Sequence, residues 1–334
     1  MSDTQENATE PSAPALTPAR RRGTATLLVV SLACNVAVLF APFMQLRIGL
    51  GSSDYTLMRS VQMLWDSGLG VLAILVFAFS VVFPFAKLGV LSAVTFSSRV
   101  TPRHQAWLAN VERAGKWSML DVFLVCLILT LTSGQMLVGA EPRVGIPLFV
   151  AAILLSLTAG EVLSVAVGRH PVAPRGRPSG ASGFWLAFAG LALAAAVSLP
   201  FLSINDWLLA NRSYSIATLG ATLAREGGWL PALLAWGFLI VTPLLHWTAS
   251  LRWWRRMRRG EDATAAWLRR KAYARWSMLD VFGLALAIFL VEGDYLMKTE
   301  VRWGALLLVA SLALKQAFDW ALDHAAARGV PDTR

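Results

Sequence analysis

The feature that most constrains this chain is a series of apolar runs, each close to twenty residues long. Such a run, coiled at 1.5 Å per residue, matches the roughly 30 Å hydrocarbon core of a bilayer. Backbone groups inside a bilayer must hydrogen-bond within the protein, so only helices and closed barrels cross it. The runs have no alternating polar period, which argues against barrel strands. Eight spans are predicted, at about 25–45, 69–95, 117–135, 145–167, 183–204, 229–251, 276–292 and 302–324. The expected fold class is an all-α integral membrane protein.

Composition agrees with this: 56% of residues are hydrophobic and only 15% are charged. The net charge of +10 raises nucleic acid as a ligand, but its placement points elsewhere. With the N-terminus in the cytoplasm, 21 of the 30 Lys and Arg fall in the two tails and three loops on that side. Seven fall in the opposite loops, and Lys87 and Lys315 lie within spans. That is the positive-inside pattern, with both termini cytoplasmic. The densest loop, RWWRRMRRGEDATAAWLRRKAYAR, reads as a topology anchor in contact with anionic headgroups.

The chain repeats itself. KWSMLDVF at 116–123 returns as RWSMLDVF at 275–282, and the same shift of 159 aligns Pro84 with Pro243, Lys87 with His246 and Tyr55 with Tyr214. The predicted organisation is a cytoplasmic tail (1–23), a first four-helix copy (24–168), a basic Pro/Gly/Ser-rich linker (169–181), a second four-helix copy (182–325) and a tail (326–334). An even number of spans per copy makes this a parallel repeat about an axis along the membrane normal.

Ionisable side chains within spans cost about 2.5–3.5 kcal/mol each on insertion scales, so they need a partner or a task. Lys87 and Asp121 approach the loop at 97–116 from two antiparallel helices, at depths of roughly 15 and 10 Å by helical rise. A Lys87–Asp121 pair with Ser118 as hydrogen-bond partner is expected, Ser118 and Asp121 sharing one helix face. Pro84, one turn before Lys87, opens the helix beside the charge. In the second copy the set is His246, Ser277 and Asp280 behind Pro243, and the spacing of 34 residues from Lys87 to Asp121 recurs from His246 to Asp280. Lys315 has moved the lysine to another helix, and Ser156 stands near its place in the first copy. One reading makes these structural ion pairs. The other makes them a polar network that moves protons or gates a path, and His246, whose ordinary pKa lies near neutrality, favours it.

No phosphate-binding loop, zinc-protease motif or nucleophile elbow is present, so no enzymatic activity is expected. The two cysteines, Cys34 and Cys126, fall in separate spans and form no metal or disulfide framework, so no cofactor is expected.

VFAFSVVFPFAKLGVL, a basic loop and GKWSMLDVFLVCLIL together closely resemble the paraquat-inducible protein A family, over residues 40–167 and more loosely over 198–322. The resemblance implies a bacterial inner-membrane protein made of two tandem four-helix units. It implies a periplasm-spanning partner with mammalian-cell-entry (MCE) domains, lipid passage between membranes in support of envelope integrity, short extracytoplasmic strands in LRIGLGSSDYTLM and RSYSIATL, and a functionally sensitive Lys/Ser/Asp network. Well-known members of that family carry a four-cysteine zinc ribbon before each unit, whereas 1–23 and 168–182 contain no cysteine here. The expected function is phospholipid transport with an MCE partner, coupled to protons since no nucleotide site is visible. The alternatives are a structural anchor for that partner, or an ion or small-solute transporter.

Overall fold

The computed structural model describes residues 17–48, 51–66, 68, 70–97, 101–132, 138–166, 180–206, 210–225, 228–293 and 299–328. One order of elements runs through the chain twice. The first passage is α1 (Pro18–Phe40), β1 (Pro42–Ile48), β2 (Gly51–Thr56), α2 (Leu57–Asp66), α3 (Gly70–Phe77), α4 (Phe83–Phe96), α5 (Pro102–Gly115), α6 (Leu120–Thr132), β3 (Val138–Pro142) and α7 (Gly145–Ala166). The second is α8 (Gly180–Ser198), β4 (Leu202–Asp206), β5 (Ala210–Tyr214), α9 (Ile216–Arg225), α10 (Trp229–Trp236), α11 (Thr242–Arg259), α12 (Thr264–Trp276), α13 (Leu279–Gly293), β6 (Thr299–Val301) and α14 (Trp303–Arg328).

Among the described residues, five helical stretches are long and apolar enough to cross a membrane: Pro18–Phe40, Ala78–Phe96, Gly145–Ala166, Trp229–Arg259 and Thr264–Leu290. A helix also stands at each other expected span, but α6 has only 13 residues, about 20 Å of length. The helices of the first and fifth spans, α1 and α8, stop before the predicted limits because Pro42 and Pro200 follow them, and proline cannot extend a helical ladder. The chain there turns into strands. The short strands expected in 46–58 and 212–219 are present, in two three-stranded sheets ordered β2-β1-β3 and β5-β4-β6. β1 pairs antiparallel with β3, Met44 opposite Pro142, and β4 pairs antiparallel with β6, Leu202 opposite Val301.

By packing, the chain separates into two compact units. One contains α1, α2 to α5 and α7, and its core gathers Leu28, Leu91, Val94, Leu108, Ala159 and Leu163. Polar glue joins α1 to α7, where the Ser31 hydroxyl donates to the Ala152 carbonyl at 2.8 Å. The other contains the strands, α6 and everything from α8 onward. A repeat is a division of sequence and a compact unit one of packing, so the two need not share boundaries. Within the second unit α6 packs on α13, and Phe123 meets its repeat equivalent Phe282 edge to face, centroids 6.0 Å apart. The apolar part of the repeated motif is buried in both copies: Met119, Leu120, Val122 and Phe123 in one, Met278, Leu279, Val281 and Phe282 in the other.

Two equivalent glycines fix where the fourth helix of each copy begins. A Cβ on Gly145 would stand 2.7 Å from the Pro42 carbonyl oxygen, and one on Gly304 would stand 2.5 Å from those of Leu199 and Pro200. Backbone cannot yield as a flexible side chain can. Gly304→Ala is therefore expected to lower stability by about 1–3 kcal/mol, read as a drop in the thermal midpoint of the purified protein. Gly89→Ala, with nothing within 4 Å of its Cβ position, should be neutral or slightly stabilising. Equal effects of the two substitutions would contradict the close-approach account.

Candidate functional site

Each copy opens a helix just before its buried polar group. Proline lacks an N–H and its ring clashes with the carbonyl four residues back. The chain answers with one wide π-turn, at Ala78–Val82 before Pro84 and at Gly237–Val241 before Pro243. The Phe83 N–H reaches back five residues to the Ala78 carbonyl, and the Thr242 N–H to that of Gly237. Such turns recur at functional sites.

In the second copy the opened turn holds the repeated motif. The Phe238 carbonyl, released from the helical ladder, accepts the Met278 N–H at 3.4 Å. The Thr242 hydroxyl shares its hydrogen between the carbonyls of Phe238 (3.1 Å) and Trp276 (3.0 Å). The rings of Phe238 and Trp276 stack, 7° from parallel. This anchoring delays the start of the helix expected over 276–292: α12 ends at Trp276, Ser277 is extended, and α13 begins at Leu279. Ser118 likewise lies in a 3-10 turn, Lys116–Met119, ahead of α6. In the second copy serine and aspartate therefore do not share one helix face.

In the first copy Lys87 is 3% exposed, and its Nζ donates to the Ser156 hydroxyl at 2.9 Å. Ser156 in turn donates to the Ile153 carbonyl at 2.9 Å. The Ser118 hydroxyl donates to the Gly115 carbonyl at 2.7 Å, and a Cβ on Gly115 would sit 3.6 Å from Lys87 Nζ. The proline–lysine turn and the Gly-Lys-Trp-Ser turn thus meet at the ammonium. Asp121 lies on α6 with its side chain outside the described residues, and so does the Lys87–Asp121 pair.

In the second copy the same helix positions line a cavity of about 40 Å³. Pro243 and His246 enter from α11, Ser277 from the break, and Ser311 and Lys315 from α14. His246 is 6% exposed and its Nε2 has no hydrogen-bond partner among the described residues. The cation has crossed over: lysine on the second helix faces serine on the fourth in the first copy, histidine on the second and lysine on the fourth in the second. Asp280 is not part of the lining. It sits in the first turn of α13, its Oδ1 accepting the Val281 N–H at 3.1 Å, where a helix N-terminus favours negative charge.

Beside the cavity lies Arg270 on α12, 4% exposed. Its guanidinium is stacked 5.3 Å from the Trp253 ring, 4.9 Å from Trp267 and 5.8 Å from Phe318. One nitrogen pairs with Asp319 Oδ1, and Nε donates to the Ser250 hydroxyl at 3.2 Å. Ser250 donates onward to the His246 carbonyl at 2.8 Å. Ser250 and Phe318 also line the cavity, so Arg270 braces its wall.

The family model for paraquat-inducible protein A matches residues 22–166 and again 183–327. The chain belongs to the paraquat-inducible protein A family. Its two matches cover nearly all of the described structure and make the tandem repeat a property of the family model as well. Comparison with curated proteins and with solved structures gives no match.

Sequence reasoning missed Arg270 in this paraquat-inducible protein A family member. It counted the residue among topology-anchoring loop charges. The signal was present. Ala263, Ala266, Trp267 and Arg270 fall at i, i+3, i+4 and i+7, one stripe of a helix, and all four are buried. Among the described residues no group of three or more His, Cys, Asp or Glu is gathered as for a metal.

Proposed function

We propose that this family member is a non-enzymatic, multi-pass inner-membrane component of a phospholipid transport system, working with a periplasm-spanning MCE-domain partner. The observation that carries the reading is the cavity of the second copy. Polar side chains that are costly inside a membrane converge there from α11, α14 and the break before α13, beside a helix opened by a buried proline. A structural tie alone does not need a cavity. Lipid would enter between helices and pass to the partner, with protons moving through His246, Lys315 and Asp280 as the energy input. Lys87, Ser118 and Asp121 would form the corresponding set in the first copy.

The proposal includes eight crossings in a parallel repeat, with the loops at 97–116, 168–182 and 252–275 in the cytoplasm and both sheets outside it. The edge-to-face meeting of Phe123 with Phe282 supports it, since a local two-fold brings equivalent residues together. Labelling of single cysteines from outside intact inner membranes should reach replacements at Ser52 and Asn211 and spare Ser179. Labelling at Ser179 would remove the eight-crossing arrangement.

A second reading, a helical anchor that only holds the MCE partner, is favoured by the Arg270–Asp319 pair in its aromatic cage, which looks built for rigidity. Rescue of the lipid-barrier defect of a deletion strain, scored beside membrane abundance, separates the two. The transport reading expects cavity variants that are abundant yet fail to rescue. The anchor reading expects rescue to follow abundance.

A further inference from the structure

We propose that α2 is an interfacial helix, resting on the bilayer surface with Met58 and Trp65 set at the boundary between headgroups and acyl chains. With ten residues it is about 15 Å long, half of what a crossing needs. It is the last element before the chain enters the span begun by α3. Gly68, at φ 81°, turns the chain between the two, and its N–H donates to the Trp65 carbonyl at 3.1 Å. The helix therefore ends there instead of running on into the span.

Its sides differ. Leu57 is buried. Met58 and Trp65, two turns apart on one flank, are 47% and 60% exposed. Arg59, Gln62 and Asp66 lie exposed on another side, with Met63 among them. A bulky apolar flank beside a charged one is the pattern of a helix lying at a membrane surface.

The repeat isolates this feature. α9 is the equivalent helix, and Ala217 and Ala224 stand on it where Met58 and Trp65 stand on α2. The second copy thus builds the same element without the bulky flank. The shift of 159 also pairs Gly70 with Trp229, the first residue of α10, which is 64% exposed. A Cβ on Gly70 would meet the Trp65 ring at 3.7 Å. An indole therefore stands at the head of the second span of each copy, carried by the span itself in one and by α2 in the other. Indoles favour the level of the headgroups, where the ring is half in apolar surroundings and the N–H is wet. Two side chains fall well short of the roughly 800 Å² that a stable protein partner covers on each side, which leaves lipid as the occupant.

Spin labels on single cysteines test this, in a Cys34→Ala, Cys126→Ala chain reconstituted in phosphatidylethanolamine–phosphatidylglycerol vesicles. Collision with oxygen, which partitions into lipid, is compared with collision with a water-soluble nickel chelate. Labels at Met58→Cys and Trp65→Cys are expected to show an oxygen-to-nickel ratio several-fold above that at Arg59→Cys, Gln62→Cys and Met63→Cys. Met58→Cys leaves Trp65 in place, so its result decides even where Trp65→Cys fails to fold. A ratio at Met58→Cys equal to that at Gln62→Cys puts the flank in water and overturns the proposal. Protection of Met58→Cys from both reagents reveals a protein cover, a second copy or another chain, and overturns it too. A high ratio at every site would embed the whole helix, with the same consequence. None of these outcomes depends on the transport reading above.

Discussion

Arg270→Met is expected to remove most of the folded protein from the membrane. The substitution keeps the aliphatic stem but strands Asp319, whose side chain is 29% exposed, and empties the cage of Trp253, Trp267 and Phe318. Breaking a buried ion pair from one side typically costs about 3–5 kcal/mol, and each lost cation–π contact adds about 0.5–2 kcal/mol. The partial exposure of Asp319 places the first figure at the lower end of its range. Arg270→Lys should retain less than half of the effect of the arginine, because an ammonium lacks the planar fork that pairs with Asp319 and reaches Ser250 together. Arg270→Met with Asp319→Leu should recover abundance, since no uncompensated charge remains. Quantitative immunoblotting of membranes, with thermal midpoints in detergent, checks the series. Wild-type stability of Arg270→Met would contradict the bracing role.

The second large effect is expected on activity rather than on folding. His246→Phe and Lys315→Met should each reach the membrane at near wild-type level and lose at least tenfold of the rescue of a lipid-barrier defect. Both positions border a cavity, so local repacking has room that a close-packed core lacks. The crossover between the copies supplies a sharper form. His246→Lys combined with Lys315→Ser recreates on α11 and α14 the lysine–serine contact that Lys87 and Ser156 make at 2.9 Å. If one cation in that place is what the cavity requires, the double exchange should rescue better than Lys315→Ser alone. No gain over the single change would show that the two copies have separate chemistries.

The helices were legible because a bilayer imposes a length and a polarity that few other environments impose. The run at 145–167 became α7 with a one-residue shift, while the run at 229–251 begins where α10 begins and continues through α11 to Arg259, more than two turns past the expected end. The repeat was legible from identities alone, and it led to both prolines. What the prolines do was not legible: they announce an interrupted ladder, yet whether the chain kinks, breaks or widens depends on neighbours. Here Thr242 and Met278 meet the freed Phe238 carbonyl, and that tertiary contact also decides that Ser277 leaves the helix. Arg270 was hidden by its surroundings in sequence, a run of arginines that reads as a solvated face. Only the helical stripe through Trp267 distinguishes the one that turns inward. Asp280 was visible as an oddity, but its seat beside the cavity rather than in its wall depends on where α13 begins.

The most direct test of the account is the charge-free pair Asp280→Leu with Lys315→Met, expressed from the chromosome and scored separately for membrane abundance and for rescue of the lipid barrier. If the intramembrane cluster of the second copy works on substrate or protons, the double variant is abundant and rescue stays absent, because the groups that act are gone. Full rescue at wild-type abundance would contradict the account and leave these side chains as structural ties between helices.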